Sequence, residues 1–447
     1  MGRTIRMAWV VAGILALLFM TLELFHVTAR MSRWALAGSM ILLMGLFPVA
    51  GAVPHLYARL VTDQLTAQEL VLGTTLGLTS VLATDTNPLS STLLMITTIG
   101  GIVAVSANNW LVLFLGIETI NVGIYGLMGQ YSRTRIGDEA LLKFFLLGTI
   151  FTACEVAGIG LIGGVQGSLQ ILRSETGHPS LIFGLSVVLA ALLFKMGSFP
   201  FHLWAPDTYE GTPWATTTII ATLPKIVAGT VLIRLVAHGT FAGLPHESTM
   251  WDTVALGTMI VGALGAWRQQ RLKRMLAYAA ISQIGFVLMP LSEGHPNAAL
   301  IYLVTYILIS LAMLTAAQAL SGPTDPRRLD LVGALHTKNR WAAVALILSL
   351  AGFGGFPFTL GMVAKLYSVE AVMKGPPIVW LGSLLVTGFT FLYYFRWIYP
   401  LFAPGSRELP QRPIFSITMT SQVAAWLIVI LGIWTYPMTW LTENWRR

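Results

Sequence analysis

Apolar stretches long enough to cross a lipid bilayer recur along the whole chain. A transmembrane helix needs roughly 20 mostly apolar residues, and the sequence contains about fourteen such stretches. Because every backbone amide and carbonyl group in lipid must be hydrogen-bonded within the protein, such a chain folds as a helical bundle. We therefore expect an all-α polytopic membrane protein. The predicted spans are 7–28, 34–53, 66–84, 88–106, 109–130, 139–164, 180–201, 214–236, 251–269, 272–291, 298–320, 340–368, 377–400 and 413–436.

The composition excludes an ordinary soluble protein and a nucleic-acid-binding protein. Hydrophobic residues make up 55% of the chain and charged residues only 10%, which leaves too few polar side chains to cover a water-exposed surface. The net charge of +8 is spread over loops, without a basic stripe interleaved with aromatic residues. The surface should therefore contact membrane lipid, and we expect no nucleic-acid partner.

Lysine and arginine favour cytoplasmic loops, so their distribution predicts the orientation of the chain. With the N-terminus outside, about fourteen of these residues fall in inside loops and about seven in outside segments. The sequence thus predicts a multi-pass protein of the cell inner (plasma) membrane, with both termini on the non-cytoplasmic side.

The stretch from Leu193 to Lys225 interrupts the apolar pattern. Here Lys195 is followed by MGSFPF at 196–201, and a near copy, FGGFPF at 353–358, lies close to Lys365. Glycine permits unusual backbone angles, whereas proline removes an amide donor, so each copy predicts a broken helix. Paired broken helices in the two halves of a transporter indicate an ion path.

Several ionisable side chains fall within predicted spans. An ionisable group at membrane depth costs about 2.5–3.5 kcal/mol and indicates a functional site, although a single lysine near a helix end can also extend to the membrane surface. Glu139 and Lys143 are four residues apart and should pair on one helical face. Because the charge of a buried lysine responds to its neighbours, the set predicts a hydrated axis for proton transfer. Its members are Glu118, Lys143, Lys195, Lys225 and Lys365.

The sixth predicted span carries three further features. Glu155 is compatible both with a place on the proton path and with a packing role. Cys154 lies in an apolar run, which predicts a small core residue and excludes a disulfide framework or a cysteine metal cluster within the chain. GIGLIG at 158–163 matches a dinucleotide-binding pattern but lies inside a membrane helix, so its glycines should allow close helix packing instead.

The eight histidines fall mostly near span ends or in loops, without a pair within the membrane that would ligate haem. We therefore expect no redox chemistry, no cofactor and no metal site within this chain.

Four segments carry a resemblance to a known family. They are DEALLKFFLLG (138–148), FKMGSFPFHLWAPDTYEGTP (194–213), RLKRMLAYAAISQIGF (271–286) and AGFGGFPFTLGMVAKLY (351–367). Together they resemble subunit N of proton-pumping NADH-quinone oxidoreductase, the respiratory complex I family, over most of the chain from about 88 to 400. The sister subunits and the Mrp-type antiporters look similar, but typically have a sequence more like HTWLPDAH where this chain has LWAPDTYEG.

The resemblance implies an antiporter-like subunit with fourteen helices, two of them broken, and two inverted five-helix repeats. The implied division places helices 1–3 in residues 1–87, helices 4–8 in 88–236, helices 9–13 in 251–400 and helix 14 in 401–447.

The resemblance also implies roles for individual residues. Glu118 and Lys195 would form the coupling pair of the first half-channel, Lys225 the bridge to the second half, and Lys365 the terminal lysine toward the outside. Lys143 matches an additional lysine of the family. The last match is His202, a polar residue of the broken-helix region.

The implied partners are the other membrane-arm subunits of complex I, which would leave flavin, iron–sulfur clusters, quinone and NADH binding to partner chains. Two alternatives stay open: a subunit of an Mrp-type Na+/H+ antiporter, and a proton-channel subunit of a membrane-bound hydrogenase-type complex. The chain departs from the family pattern at Glu155, at TLPK (222–225), at GGFPFTLG (354–361) and at Gln283.

Overall fold

The computed structural model describes residues 71, 73–75, 78, 89–131, 134–172, 178–321, 340–403 and 415–433. Within these ranges the regular structure is helical, apart from one isolated bridge between Asn109 and Gln170. The predicted spans 7–28 and 34–53, and most of 66–84, lie outside the described residues.

The described ranges contain thirteen α-helices, with a short 3-10 helix at Met289–Glu293 between α8 and α9. The helices are α1 (Leu89–Ser106), α2 (Trp110–Tyr131), α3 (Arg135–Gln166), α4 (Pro179–Met196), α5 (Trp204–Gly211), α6 (Trp214–Ala237), α7 (Glu247–Arg268), α8 (Leu272–Leu288), α9 (Pro296–Ser321), α10 (Arg340–Gly354), α11 (Leu360–Val372), α12 (Pro377–Phe402) and α13 (Phe415–Ile433).

Each predicted span from residue 88 onward coincides with a helix or with an interrupted helix. In the described part of the chain, nine helical segments are long and apolar enough to cross a membrane. The helices α10 and α11 are shorter because they divide the predicted span 340–368 between them. The all-α polytopic fold is therefore confirmed, whereas the inverted relation of the two halves stays a prediction.

Both predicted helix breaks are present, and the helices that precede them, α4 and α10, end in the same way. Gly197 follows α4 with φ 72°, and Gly355 follows α10 with φ 80°, a backbone conformation that glycine adopts without a steric penalty. The residue after each glycine donates its amide to a carbonyl five positions back: Ser198 to Leu193 (3.1 Å) and Phe356 to Ala351 (3.1 Å). This Schellman motif satisfies carbonyl groups that lipid cannot hydrogen-bond.

The helices α6, α8 and α9 form the centre of the bundle, since most of their residues are buried, whereas α3 and α12 expose one apolar side. The exposed side of α3 includes Leu142, Leu146 and Ile150, as expected for a surface that contacts lipid. Cys154 is exposed on α3. Its prediction as a core residue is wrong, because an apolar run alone does not distinguish a lipid-facing position from a protein-facing one.

One glycine of GIGLIG, Gly158, serves helix packing as predicted, whereas a side-chain carbon at Gly160 would meet no atom within 4 Å and one at Gly163 would meet only the Leu169 side chain. Gly158 on α3 lies against the carbonyl group of Gly184 on α4, and a side-chain carbon at either position would collide with the backbone of the other helix. Small residues of this kind let two membrane helices approach closely.

A buried arginine joins α6 to the end of α1. Arg234 is 4% exposed, and its guanidinium donates hydrogen bonds to the carbonyl oxygens of Val105 and Ala107. The helix α1 ends at Ser106, so its last carbonyl groups lack partners within the helix, and its dipole favours a cation there. Arg234 therefore supplies donors at a place where lipid supplies none.

We expect Arg234→Met to lower the free energy of unfolding by about 2–4 kcal/mol, because each buried carbonyl left without a donor costs about 1–3 kcal/mol. The measurement is the temperature at which the chain is lost from the detergent-soluble fraction of heated membranes. Arg340→Met, which removes an exposed arginine from the first turn of α10, is the matched control and should melt like the wild type. Equal melting of both variants would contradict the role of Arg234.

Candidate functional site

Lys195 and Glu118 come together through an asparagine. Lys195 is buried in the last turn of α4, and its Nζ donates a hydrogen bond to Oδ1 of Asn121 (3.0 Å). Nδ2 of Asn121 donates in turn to Oε1 of Glu118 (2.6 Å), which also accepts a bond from Oγ1 of Thr152 (2.7 Å). The amide thus connects a cation with a carboxylate, and the predicted pair forms one connected unit.

Sequence reasoning missed both Asn121 and Thr152. Asn121 carried a usable signal, because a polar amide three residues after Glu118 in an apolar helix lies on the same helical face. Thr152 carried none, since a threonine in a membrane helix usually bonds to its own backbone.

Glu155 lies on α3, three residues beyond Thr152. It is 1% exposed, and neither of its carboxylate oxygens has a hydrogen-bond partner among the described residues. It interacts electrostatically with Lys195 and with Glu118. The first cluster therefore consists of Glu118, Asn121, Thr152, Glu155 and Lys195.

Lys225 lies between two tyrosines at the centre of the bundle. It is fully buried in α6, and its Nζ donates to the hydroxyl oxygens of Tyr209 (3.1 Å) and Tyr306 (3.1 Å). Both rings also face the ammonium, with centroids 5.6 and 5.3 Å away. The hydroxyl of Tyr306 donates to the carbonyl oxygen of Ala221 (3.0 Å), which orients it to accept from the lysine.

Lys365 occupies the second helix break. Its Nζ donates to the carbonyl oxygen of Phe353 (2.8 Å), and the carbonyl of Gly354 lies 3.4 Å away. Both carbonyl groups belong to the last residues of α10, so the ammonium interacts with the negative end of that helix dipole. The ring of Phe286 from α8 covers it, with its centroid 4.9 Å from Nζ.

Gln283 adds an amide to the same break. Its Nε2 donates to the Phe353 carbonyl oxygen (3.4 Å), and its Oε1 accepts from the hydroxyl of Tyr302 (2.5 Å). The Phe353 ring stacks on Tyr306, with centroids 5.8 Å apart. The ring of Phe353 therefore contacts Tyr306, which binds Lys225. The carbonyl oxygen of Phe353 binds Lys365.

Lys143 lies apart from the buried lysines. It pairs with Glu139 (2.6 Å), as the four-residue spacing predicted, and with Asp207 on α5 (2.9 Å), but 45% of its side chain is exposed. Arg274 also binds Asp207 (2.9 Å). Lys143 thus belongs to a surface network of ion pairs that joins α3, α5 and α8, because its helical face points outward. Its side chain is not buried as the other three lysines are, and its place on the proton path stays a prediction.

His202 follows the first helix break and is 7% exposed. Its ring lies 6.1 Å from that of Phe199, and its Nδ1 has no hydrogen-bond partner among the described residues. A role on the proton path stays a prediction.

A fourth buried lysine was missed. Lys273, in the first turn of α8, is 3% exposed, and its Nζ donates to the Thr212 carbonyl oxygen (2.6 Å) and lies 4.7 Å from the Trp214 ring centroid. Sequence reasoning counted it among cytoplasmic loop cations, because it stands between Arg271 and Arg274. In the folded chain Lys273 points into the protein, whereas Arg271 and Arg274 stay partly exposed, and the order of residues in the sequence does not show this difference.

The three predicted buried lysines share one property. In the described part of the chain, none of them forms an ion pair; their partners are an amide oxygen, phenol hydroxyls and backbone carbonyl oxygens. Lysine can release a proton and take it back, whereas arginine cannot at physiological pH. Lys195, Lys225 and Lys365 are therefore suited to proton transfer.

Comparison with known proteins places the chain in a family. Residues 107–390 match the family described as NADH:quinone oxidoreductase/Mrp antiporter, TM. NADH-quinone oxidoreductase subunit N of Herminiimonas arsenicoxydans is 33% identical over 65% of this chain and 63% of that protein. Subunit N of Thiobacillus denitrificans is 30% identical over 76% of this chain and 73% of that protein. The chain thus spans less than two thirds of the first of these relatives.

Two solved structures share the fold. A chain of respiratory complex I from Thermus thermophilus with bound aureothin has a TM-score of 0.84 at 23% identity, covering 95% of this chain and 97% of that one. A chain of the Mrp complex from Dietzia sp. DQ12-45-1b has a TM-score of 0.86 at 19% identity, covering 98% and 96%. The chain therefore belongs to the NADH:quinone oxidoreductase/Mrp antiporter family of transmembrane subunits, where its curated relatives are NADH-quinone oxidoreductase subunit N.

Proposed function

We propose that this chain carries protons across the membrane as a non-redox subunit of NADH-quinone oxidoreductase. One observation carries the proposal: Lys195, Lys225 and Lys365 are buried in a membrane bundle and are held by neutral oxygen atoms. A buried ammonium paired with a carboxylate would be held in its charged form, whereas one held by hydroxyl, amide and carbonyl groups can change its charge when a nearby charge moves.

The proposed transfer begins at the first cluster. A change of charge near Glu118 alters the proton affinity of Lys195, which is connected to Glu118 through Asn121. Lys195 then passes its proton toward Lys225. The hydroxyl groups of Tyr209 and Tyr306 hold Lys225, and each can accept a proton from one side and donate one to the other. Transfer then continues through water and polar groups to Lys365, from which the proton leaves on the outer side.

The assembly and the orientation belong to the same proposal. Other membrane-arm subunits would flank this chain, and partner chains would hold the flavin, iron–sulfur clusters and quinone, so that this chain binds no NADH. The protein would lie in the cell inner membrane with both termini on the non-cytoplasmic side, as the loop charges predict.

The fold also suits a second function, that of an Mrp-type antiporter subunit. A chain of the Mrp complex has the same fold, and the match covers 98% of this chain. Purification from native membranes in mild detergent, followed by mass spectrometry of stable partners and an NADH:quinone activity assay, separates the two. Flavin, iron–sulfur and quinone-binding subunits with NADH oxidation support the first function. Small antiporter subunits alone support the second, and a nickel hydrogenase indicates a hydrogenase-type assembly.

We expect Lys195→Ala to lower proton pumping in membrane vesicles by roughly tenfold or more while the complex still assembles, because the group that carries the proton is lost. Lys195→Arg should also impair pumping, because arginine keeps its proton. Pumping is measured with a pH-sensitive dye during NADH oxidation, and assembly by co-purification of partner subunits. Lys374→Ala, which removes an exposed lysine, is the control. Normal pumping by Lys195→Ala would refute the assignment.

We expect Tyr306→Phe to slow pumping roughly tenfold with little loss of assembly, because Lys225 loses one of two hydroxyl partners and a proton-exchanging group. The same dye assay measures the effect. Tyr399→Phe removes a hydroxyl from a side chain that is 67% exposed and should pump normally. If both variants pump at the wild-type rate, the tyrosines only fill space around Lys225.

A further inference from the structure

Glu155 is a buried carboxylate that the proposed path does not use. It is 1% exposed, and its two oxygens lack hydrogen-bond partners among the described residues. A carboxylate normally accepts several hydrogen bonds, and an ionised one left unpaired in a protein interior is strongly disfavoured. Glu155 therefore needs an explanation beyond packing.

Its position on α3 places Glu155 beside the first cluster. The residues three and four positions earlier, Thr152 and Phe151, lie on the same helical face. Thr152 donates a hydrogen bond to Glu118 (2.7 Å), and the ring of Phe151 stacks on Phe194, the neighbour of Lys195, with centroids 4.3 Å apart. Electrostatic interactions join Glu155 to both Lys195 and Glu118. Glu155 thus lies one helical turn from Thr152, which binds Glu118, and from Phe151, which contacts the neighbour of Lys195.

The charges of the cluster do not balance if every group is ionised. Two carboxylates and one ammonium would leave one uncompensated negative charge, and the neutral arrangement contains one additional proton. Glu118 is only partly buried, whereas Glu155 is 1% exposed. Glu118 accepts hydrogen bonds from Asn121 and Thr152, which stabilise a carboxylate, whereas Glu155 accepts none among the described residues. The additional proton therefore belongs on Glu155.

We infer that Glu155 stores a proton as a neutral carboxylic acid and returns it to Lys195 after Lys195 has released its own proton toward Lys225. In this step the O–H bond of Glu155 breaks and an N–H bond forms on Nζ of Lys195, which leaves a carboxylate near an ammonium. Glu155 then takes up a new proton from water. The transfer to Lys195 rests on the proposed function, whereas the stored proton does not.

Infrared spectroscopy of the assembled complex in membranes at neutral pH tests the stored proton directly. A protonated carboxyl group has a separate carbonyl stretching band that moves to lower frequency in D2O. We expect this band in the wild type, its loss in Glu155→Gln, and its retention in Glu370→Gln, which removes an exposed carboxylate from α11. A band that is absent from the wild type or persists in Glu155→Gln would overturn the inference.

Glu155→Asp keeps the inference testable if Glu155→Gln does not assemble. Aspartate retains a carboxylic acid in a different position, so the band should shift in frequency rather than vanish. An unshifted band in Glu155→Asp would assign the proton to another group and overturn the inference.

Proton pumping separates this inference from the function on which it rests. Loss of the stored proton should lower the pumping rate of Glu155→Gln roughly tenfold, with a smaller loss in Glu155→Asp. If Lys195→Ala pumps normally, the proposed function fails, whatever the infrared band shows. If Lys195→Ala is defective and Glu155→Gln pumps normally, the role of Glu155 in reprotonation fails alone.

Discussion

The carbonyl groups at the ends of two interrupted helices are the constraint on which the rest of this structure depends. Lipid offers no hydrogen-bond donors, so every carbonyl group released by a helix break must find one inside the protein. In the first break the indole Nε1 of Trp204 donates to the Phe194 carbonyl oxygen (2.9 Å). In the second break Nζ of Lys365 donates to the Phe353 carbonyl oxygen. Because the neutral indole of Trp204 binds the carbonyl group in the first break, Lys195 is not needed there and binds Asn121 instead.

Charged groups divide into two populations with different partners. Near the surface, Lys143, Arg271 and Arg274 pair directly with carboxylates. In the interior, Lys195 and Lys225 are held by neutral groups. A direct ion pair in a dry interior would hold both charges in place, whereas neutral partners let an ammonium form and disappear with less reorganisation. The surface pairs join helices, and the interior lysines are left able to exchange protons.

Much of the fold could be predicted from the sequence because lipid imposes a simple rule. Apolar runs of spanning length predicted the described helices other than the short polar α5, and MGSFPF and FGGFPF predicted the two breaks, since glycine and proline act locally. The buried lysines were identifiable because few charges occur within spans. The orientation of side chains was not predictable in the same way: Lys143 and Cys154 lie in apolar surroundings in the sequence, yet both face outward.

The sequence alone determined which residues enter the membrane, where helices break and which ionisable groups lie at membrane depth, because these properties follow from local composition and backbone chemistry. Only the tertiary structure decided which groups meet. Asn121, three residues from Glu118 on α2, binds Lys195 on α4, and Tyr306 on α9 connects Lys225 on α6 with the second break. The bonds to the two lysines join helices far apart in the chain. The isolation of Glu155 is also a tertiary property, because a missing hydrogen bond depends on what packs around the carboxyl group rather than on the residues beside it in the sequence.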